Sequence, residues 1–83
     1  EPMRVLYFAW LRERAGAATE EVTTEAATVR ALVEELRAAD ERHAAAFADL
    51  SAVRVALDEE LADLDAPLAG VREVAFFPPV TGG

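Results

Sequence analysis

Cysteine is absent from all 83 residues, so neither a disulfide nor a thiolate metal site can brace this chain or carry its chemistry. Histidine occurs once, at His43, which leaves a zinc or redox centre without an imidazole set. No glycine-rich phosphate loop follows a strand, and the chain therefore has no means of its own for handling a nucleotide. Positive charge is scarce as well. Sixteen acidic residues against eight basic ones give a formal charge of −8, which repels nucleic-acid phosphates and anionic membranes and favours basic protein partners. No apolar run nears the roughly 18 residues that cross a bilayer. The opening EPMRVLYFAW lacks the charged-then-apolar order of a secretion signal, so the cytoplasm is the expected location.

What is present is hydrophobic mass, 53% of the residues, much of it alanine. A chain of this size forms one domain close to the lower limit for a self-sufficient core, and a two-layer packing is the economical solution. Glu1 and Pro2 precede Met3 and read as an expression remnant outside the fold. Arg4 to Trp10 (RVLYFAW) is an apolar run of strand length, expected to be covered on much of both faces. One helical turn, LRERAG, ends at Gly16, and Ala18 to Thr24 alternates as a half-exposed second strand.

Thr28 to Asp40 is the clearest helix: Val29, Leu32, Val33 and Leu36 share one face, and Thr28 is placed to cap the free amides of the first turn. The segment ERHAAAFADL extends or restarts helix, anchored by Phe47 and Leu50. Ala52 to Asp63 predicts a hairpin with Val53, Val55 and Leu57 on the core side, Arg54 and Ala56 outside, and Asp58, Glu59 and Glu60 at the turn. Val71 to Phe77 is the last strand, stopped by Pro78 and Pro79, which lack the amide hydrogens a ladder needs. Strand, strand, helix, strand, strand, with the most apolar strands at the two ends, predicts an α+β fold. Its mixed sheet has the terminal strands parallel at the centre and one main helix across a face, the β-grasp or ubiquitin-like arrangement. The domain should span residues 3–77 and an extended tail residues 78–83.

Side-chain chemistry inside that frame is sparse. His43 reads as a solvated helix residue with no role. Asp58, Glu59, Glu60, Asp63 and Asp65 lack the glycine and spacing of a calcium loop and read as a solvated hairpin, so no metal site is expected. The aromatics are more informative. Alternation prevents Tyr7, Phe8, Trp10, Phe76 and Phe77 from all facing the helix. Val5, Tyr7, Val74 and Phe76 are assigned to the core, while Phe8 and Phe77 point away and are expected to touch a protein partner.

The tail carries the strongest signal. VAFFPPVTGG (Val74 to Gly83), together with VLYFAWLRERAG (Val5 to Gly16), resembles the ubiquitin-like sulfur carriers that form the small subunits of molybdopterin synthase, over nearly the whole chain from Met3. Two departures from that pattern stand out: Asp58 is at the hairpin turn where asparagine is usual, and Gly70-Val71-Arg72-Glu73-Val74 replaces Gly-Asp-Glu-Val. The resemblance implies that an adenylyltransferase of the ubiquitin-activating type uses ATP to convert the Gly83 carboxylate to an acyl-adenylate. A sulfur donor protein then makes it a thiocarboxylate, and the large synthase subunit accepts the tail and passes the sulfur to cyclic pyranopterin monophosphate. The carrier itself would hold no cofactor.

Residue chemistry agrees with that scheme. A carboxylate resists nucleophilic attack until it acquires a leaving group such as AMP. Gly82 and Gly83 have no Cβ and can enter a narrow channel. Pro78 and Pro79 favour an extended polyproline II stalk, which with Val80 and Thr81 would hold the tip away from the domain. A carrier for thiamine or cysteine synthesis, a modifier joined to lysine through the same activation, and a binding module with an incidental Gly-Gly end are the other readings of these residues.

Overall fold

In the computed structural model, which describes residues 2–79, five strands and three helices follow the order β1 (Met3–Tyr7), α1 (Trp10–Ala15), β2 (Thr19–Val22), α2 (Val29–Ala39), α3 (Glu41–Ala46), β3 (Arg54–Leu57), β4 (Glu60–Ala62) and β5 (Glu73–Phe77). They build one mixed sheet in the order β2-β1-β5-β3-β4. β1 and β5 pair in parallel at its centre, with Val5 opposite Val74 and Tyr7 opposite Phe76. Parallel neighbours require a long connection, and the three helices, β2 and the β3–β4 hairpin supply it. The α+β, β-grasp expectation holds.

Alternation sorts the two faces. Val5, Tyr7, Val55, Val74 and Phe76 are buried under the helices, and α2 presents Val29, Leu32, Val33 and Leu36 to them. The start of α2 is satisfied group by group. Thr28 accepts from the Ala31 amide at 3.2 Å, while the Val29 and Arg30 amides donate to the carbonyls of Ala66 and Leu64. The irregular segment before β5 is thereby fixed against the helix, since free amides at a buried helix end are costly. Phe47 and Phe76 meet edge to face at 4.9 Å, and Tyr7 stacks on Phe76 at 6.0 Å.

Several boundaries differ from those expected. β1 stops at Tyr7 rather than Trp10, because Ala9 turns the chain with φ 56° and ψ −133° and Trp10 opens α1. That turn buries Leu11 completely, a gain that continuing the strand would forfeit. α1 runs for six residues, longer than the single turn expected, and Gly16 closes it with φ 85° and an amide donated to Arg12. β1 is covered on one face only, with Arg4 exposed and Leu6 half-buried. β2 is shorter than Ala18 to Thr24. The Thr24 hydroxyl instead accepts from the Ala26 amide and donates to Glu35, which ends the ladder.

In the hairpin, Glu60 belongs to β4, paired with Leu57, and the turn is the two residues Asp58 and Glu59. Their φ values of 49° and 74° match the two-residue turn whose twist suits a hairpin. Asp58 also ties this turn to the sheet, its carboxylate accepting from the Arg72 and Glu73 amides at 3.1 and 3.0 Å. β5 is confined to Glu73–Phe77, and Leu50, in a short 3-10 turn rather than a helix, packs half-buried against the core.

Candidate functional site

β5 is the element that delivers the tail. Flanked on both sides by β1 and β3, it is among the best-held strands of the sheet, and it ends in Phe77 with Pro78 and Pro79 half-buried directly after it. Neither proline can extend the ladder, so the chain must leave the sheet there. The remaining site residues inferred from sequence, Val80, Thr81, Gly82 and Gly83, lie outside the described residues.

At the root of this tail the sheet's outer face is apolar. Cross-strand pairs place Leu6, Ala75, Ala56 and Leu61 in one row across β1, β5, β3 and β4. Leu6, Ala75 and Ala56 are half-buried, and Leu61 is 81% exposed. Phe77, opposite Arg54 and half-buried, continues this face toward the tail. Phe8 is 47% exposed, and its amide donates to the Phe76 carbonyl at 3.1 Å, which brings it beside the end of β5. The two aromatics assigned to the outer face are thus both close to where the tail departs. Arg4 and Glu73, paired at 2.9 Å, border the row on its other side. An apolar strip with charged margins on so small a domain has the form of a protein-docking face.

Leu61 is the member of this strip that sequence reasoning overlooked. Within DEELAD it is a single leucine among acids, and only its register opposite Ala56 reveals that it faces outward.

His43 requires a correction. It is buried rather than solvated, with Nδ1 2.8 Å from Asp40 and Nε2 2.7 Å from Glu20, and the Tyr7 hydroxyl donates to the same Glu20 oxygen at 2.6 Å. A ring flanked by carboxylates at both nitrogens is satisfied when it is a doubly protonated cation donating to each. Burial pulls the His43 pKa down, but hydrogen bonds and charges from Glu20 and Asp40 outweigh it and hold the value above the ordinary one. Asp40 is correspondingly held low, first by the His43 backbone amide and then by its ring. Burial, then the bond to Glu20, pushes Tyr7 upward. The cluster ties α3 to β1 and β2 and contains no group free to act as a nucleophile; its role is to hold the fold.

A pH effect follows. Because the folded pKa of His43 lies above its unfolded value of about 6.5, this contribution to stability is complete below that pH and is lost as pH rises through the folded value. Urea unfolding between pH 6 and 9 should show stability falling, with His43→Gln removing the slope. An unchanged slope in the variant would contradict the assignment. At the acid end, Asp40 has the opposite sign: its contribution is lost as pH drops through its depressed pKa.

Among the described residues, no three His, Cys, Asp or Glu side chains converge as a metal site, and no helix is long and apolar enough to cross a membrane. A shallow cleft of about 400 Å³ opens beside the hairpin, lined by Arg30, Leu50, Val53, Arg54 and Leu64 among others, with Arg30 and Asp65 bridged at 2.9 Å. It pairs no nucleophile with a base.

Comparison with known proteins matches residues 5–83 to the model of the ThiS family. The molybdopterin synthase sulfur carrier subunit of Escherichia coli is 42% identical over 81 residues, covering 98% of this chain and 99% of that protein. Among solved structures, SAMP1 from Haloferax volcanii superposes with a TM-score of 0.75 at 30% identity, covering all of both chains. The small archaeal modifier protein 1 of H. volcanii gives 0.69 at 28% identity, covering 95% of this chain and 98% of that one.

Proposed function

The chain belongs to the ThiS family, and from that membership we propose that it is the sulfur carrier subunit of a molybdopterin synthase, acting through a thiocarboxylate on Gly83. The observation that carries this reading is the joining of two features: a tail ending in Gly-Gly that leaves from a central strand, and an apolar docking face at the tail's root. The full-length likeness to a protein named as such a subunit supports the same role.

The chemistry proceeds in three steps. A carboxylate oxygen of Gly83 attacks the α-phosphate of ATP held by an adenylyltransferase, and pyrophosphate leaves. Hydrosulfide released by a donor protein then attacks the carbonyl carbon and expels AMP, leaving the carboxyl with sulfur in place of one oxygen. In the large synthase subunit the sulfur passes to cyclic pyranopterin monophosphate, and oxygen from water restores the carboxylate. Two such deliveries complete the dithiolene. The domain's part is to dock through Phe8, Leu61 and Phe77 while the Pro78-Pro79 stalk presents the tip; a semi-rigid arm loses less entropy on insertion than a free one.

The test is reconstitution. Thiocarboxylated carrier mixed with the large subunit and precursor should yield product while the carrier returns to its carboxylate mass. Product formed equally well by carrier lacking Gly83 would remove the reading.

A second reading, conjugation to other proteins, is favoured by the likeness to a protein named as a modifier. All eight basic residues of this chain are arginine, so its side chains offer no amine for isopeptide formation on itself. Lysine adducts of this chain in cell extracts would support that activity, and they would be single attachments rather than chains.

A further inference from the structure

Two large apolar side chains are exposed among the described residues, Phe8 and Leu61. Each lies within three positions of backbone that an L-residue adopts only with strain. Ala9, next to Phe8, has φ 56° and ψ −133°, and Leu61 is preceded by Asp58 at φ 49° and Glu59 at φ 74°. Among the described residues these three are the only non-glycines with positive φ.

Glycine is the ordinary occupant of such positions. The Leu11 amide donates to the Phe8 carbonyl at 3.1 Å, which makes Ala9 the first central residue of a tight turn that normally takes glycine there. Asp58 and Glu59 form a two-residue hairpin turn whose favoured sequences end in glycine. Both turns are fastened on either side. Phe8 is bonded to the Phe76 carbonyl while Leu11 is fully buried, and Asp58 bonds the backbone of Arg72 and Glu73.

We propose that Ala9 and the Asp58–Glu59 turn are positioning elements, which accept strain so that Phe8 and Leu61 are held in one orientation before docking. Glycine would relieve the strain, and it would also open further backbone states to the adjoining side chain. A side chain already fixed loses less freedom when it is buried in an interface. Strained backbone is found where the surroundings over-determine it and function uses it, and here it flanks both exposed anchors of one face. The proposal rests on the docking role assigned above.

The experiment measures melting temperature and affinity for the large synthase subunit in Ala9→Gly, Glu59→Gly and Phe8→Ala, with a synthetic chain carrying D-alanine at position 9. D-Alanine favours positive φ and keeps the restriction that glycine removes. Ala9→Gly and Glu59→Gly should melt no lower than the parent yet bind roughly three- to tenfold more weakly. The D-alanine chain should melt higher and recover parental affinity, an outcome that a purely structural role does not produce. Parental affinity in both glycine variants, with Phe8→Ala weakened, overturns the inference and leaves the docking face standing; a lower melting temperature in the glycine variants overturns the strain. Parental affinity in Phe8→Ala overturns the docking role and the inference together.

Discussion

Gly82→Leu is expected to fold normally, bind both the adenylyltransferase and the large synthase subunit, and lose sulfur transfer by about a hundredfold or more. Folding depends on the core strands, and under the proposed role docking depends on the outer face that carries Phe8, Leu61 and Phe77, all before the stalk. In the proposed mechanism the reacting carbon is that of Gly83, and its rate is a matter of placement. A misplacement of about 1 Å costs on the order of a hundredfold in a positioned reaction, and a leucine side chain next to the reacting residue displaces more than that in a channel sized for bare backbone. Deleting Gly83 should be more damaging, because it withdraws the carboxylate by up to about 3.5 Å. Thiocarboxylate formation and single-turnover transfer, measured separately, show which active site is the narrower. Near-parental turnover by Gly82→Leu would remove the narrow-channel argument.

The second large effect separates two adjacent phenylalanines. Phe76 is fully buried, packed edge to face on Phe47 at 4.9 Å and stacked with Tyr7. Phe77, one residue on, is half-buried on the opposite face across from Arg54. Phe76→Ala should cost about 3–5 kcal/mol of folding stability, the range for a buried aromatic truncated to a cavity. For a domain of this size that is a large share of a total of roughly 5–15 kcal/mol. Phe77→Ala should leave stability nearly unchanged and weaken large-subunit binding by on the order of 2 kcal/mol, as for an interface anchor. Urea melts and titration calorimetry distinguish the two, and equal melting losses would contradict their assignment to opposite faces.

Those two residues also show what could be read from sequence and why. The α2 face of Val29, Leu32, Val33 and Leu36 and the burial of Val5, Tyr7, Val74 and Phe76 follow from periodicity, which is local and survives in the fold. The parallel pairing of the first and last strands follows from the element order and from those two strands being the most apolar. The end of β1 did not. The run Phe8-Ala9-Trp10-Leu11 is as apolar as a strand, and only the burial of Leu11 explains why the chain turns at Ala9 instead. The hairpin was legible in outline, but its turn is tighter than three acids suggest, because Asp58 and Glu59 adopt the positive φ of a two-residue loop.

The His43 cluster was illegible for a different reason. Its partner Glu20 lies 23 positions away on an edge strand, so the pair exists only through packing of α3 on the sheet. A polar residue in an alanine-rich helix gives no local sign of which face it joins. Leu61 was hidden in the same way, since an isolated leucine among acids acquires meaning only from the strand opposite it. The end of β5 was legible because Pro78 and Pro79 cannot continue a ladder wherever they stand.

The central claim is that Gly83 carries the sulfur, and intact-mass spectrometry tests it most directly. The chain is incubated with its adenylyltransferase, ATP and a sulfide source, then fragmented to locate any change. The account predicts a mass gain equal to one oxygen replaced by sulfur, confined to a C-terminal fragment containing Gly83, dependent on ATP and absent when Gly83 is deleted. An unchanged mass under conditions in which the enzyme adenylates the chain, or sulfur found elsewhere in the chain, would contradict it.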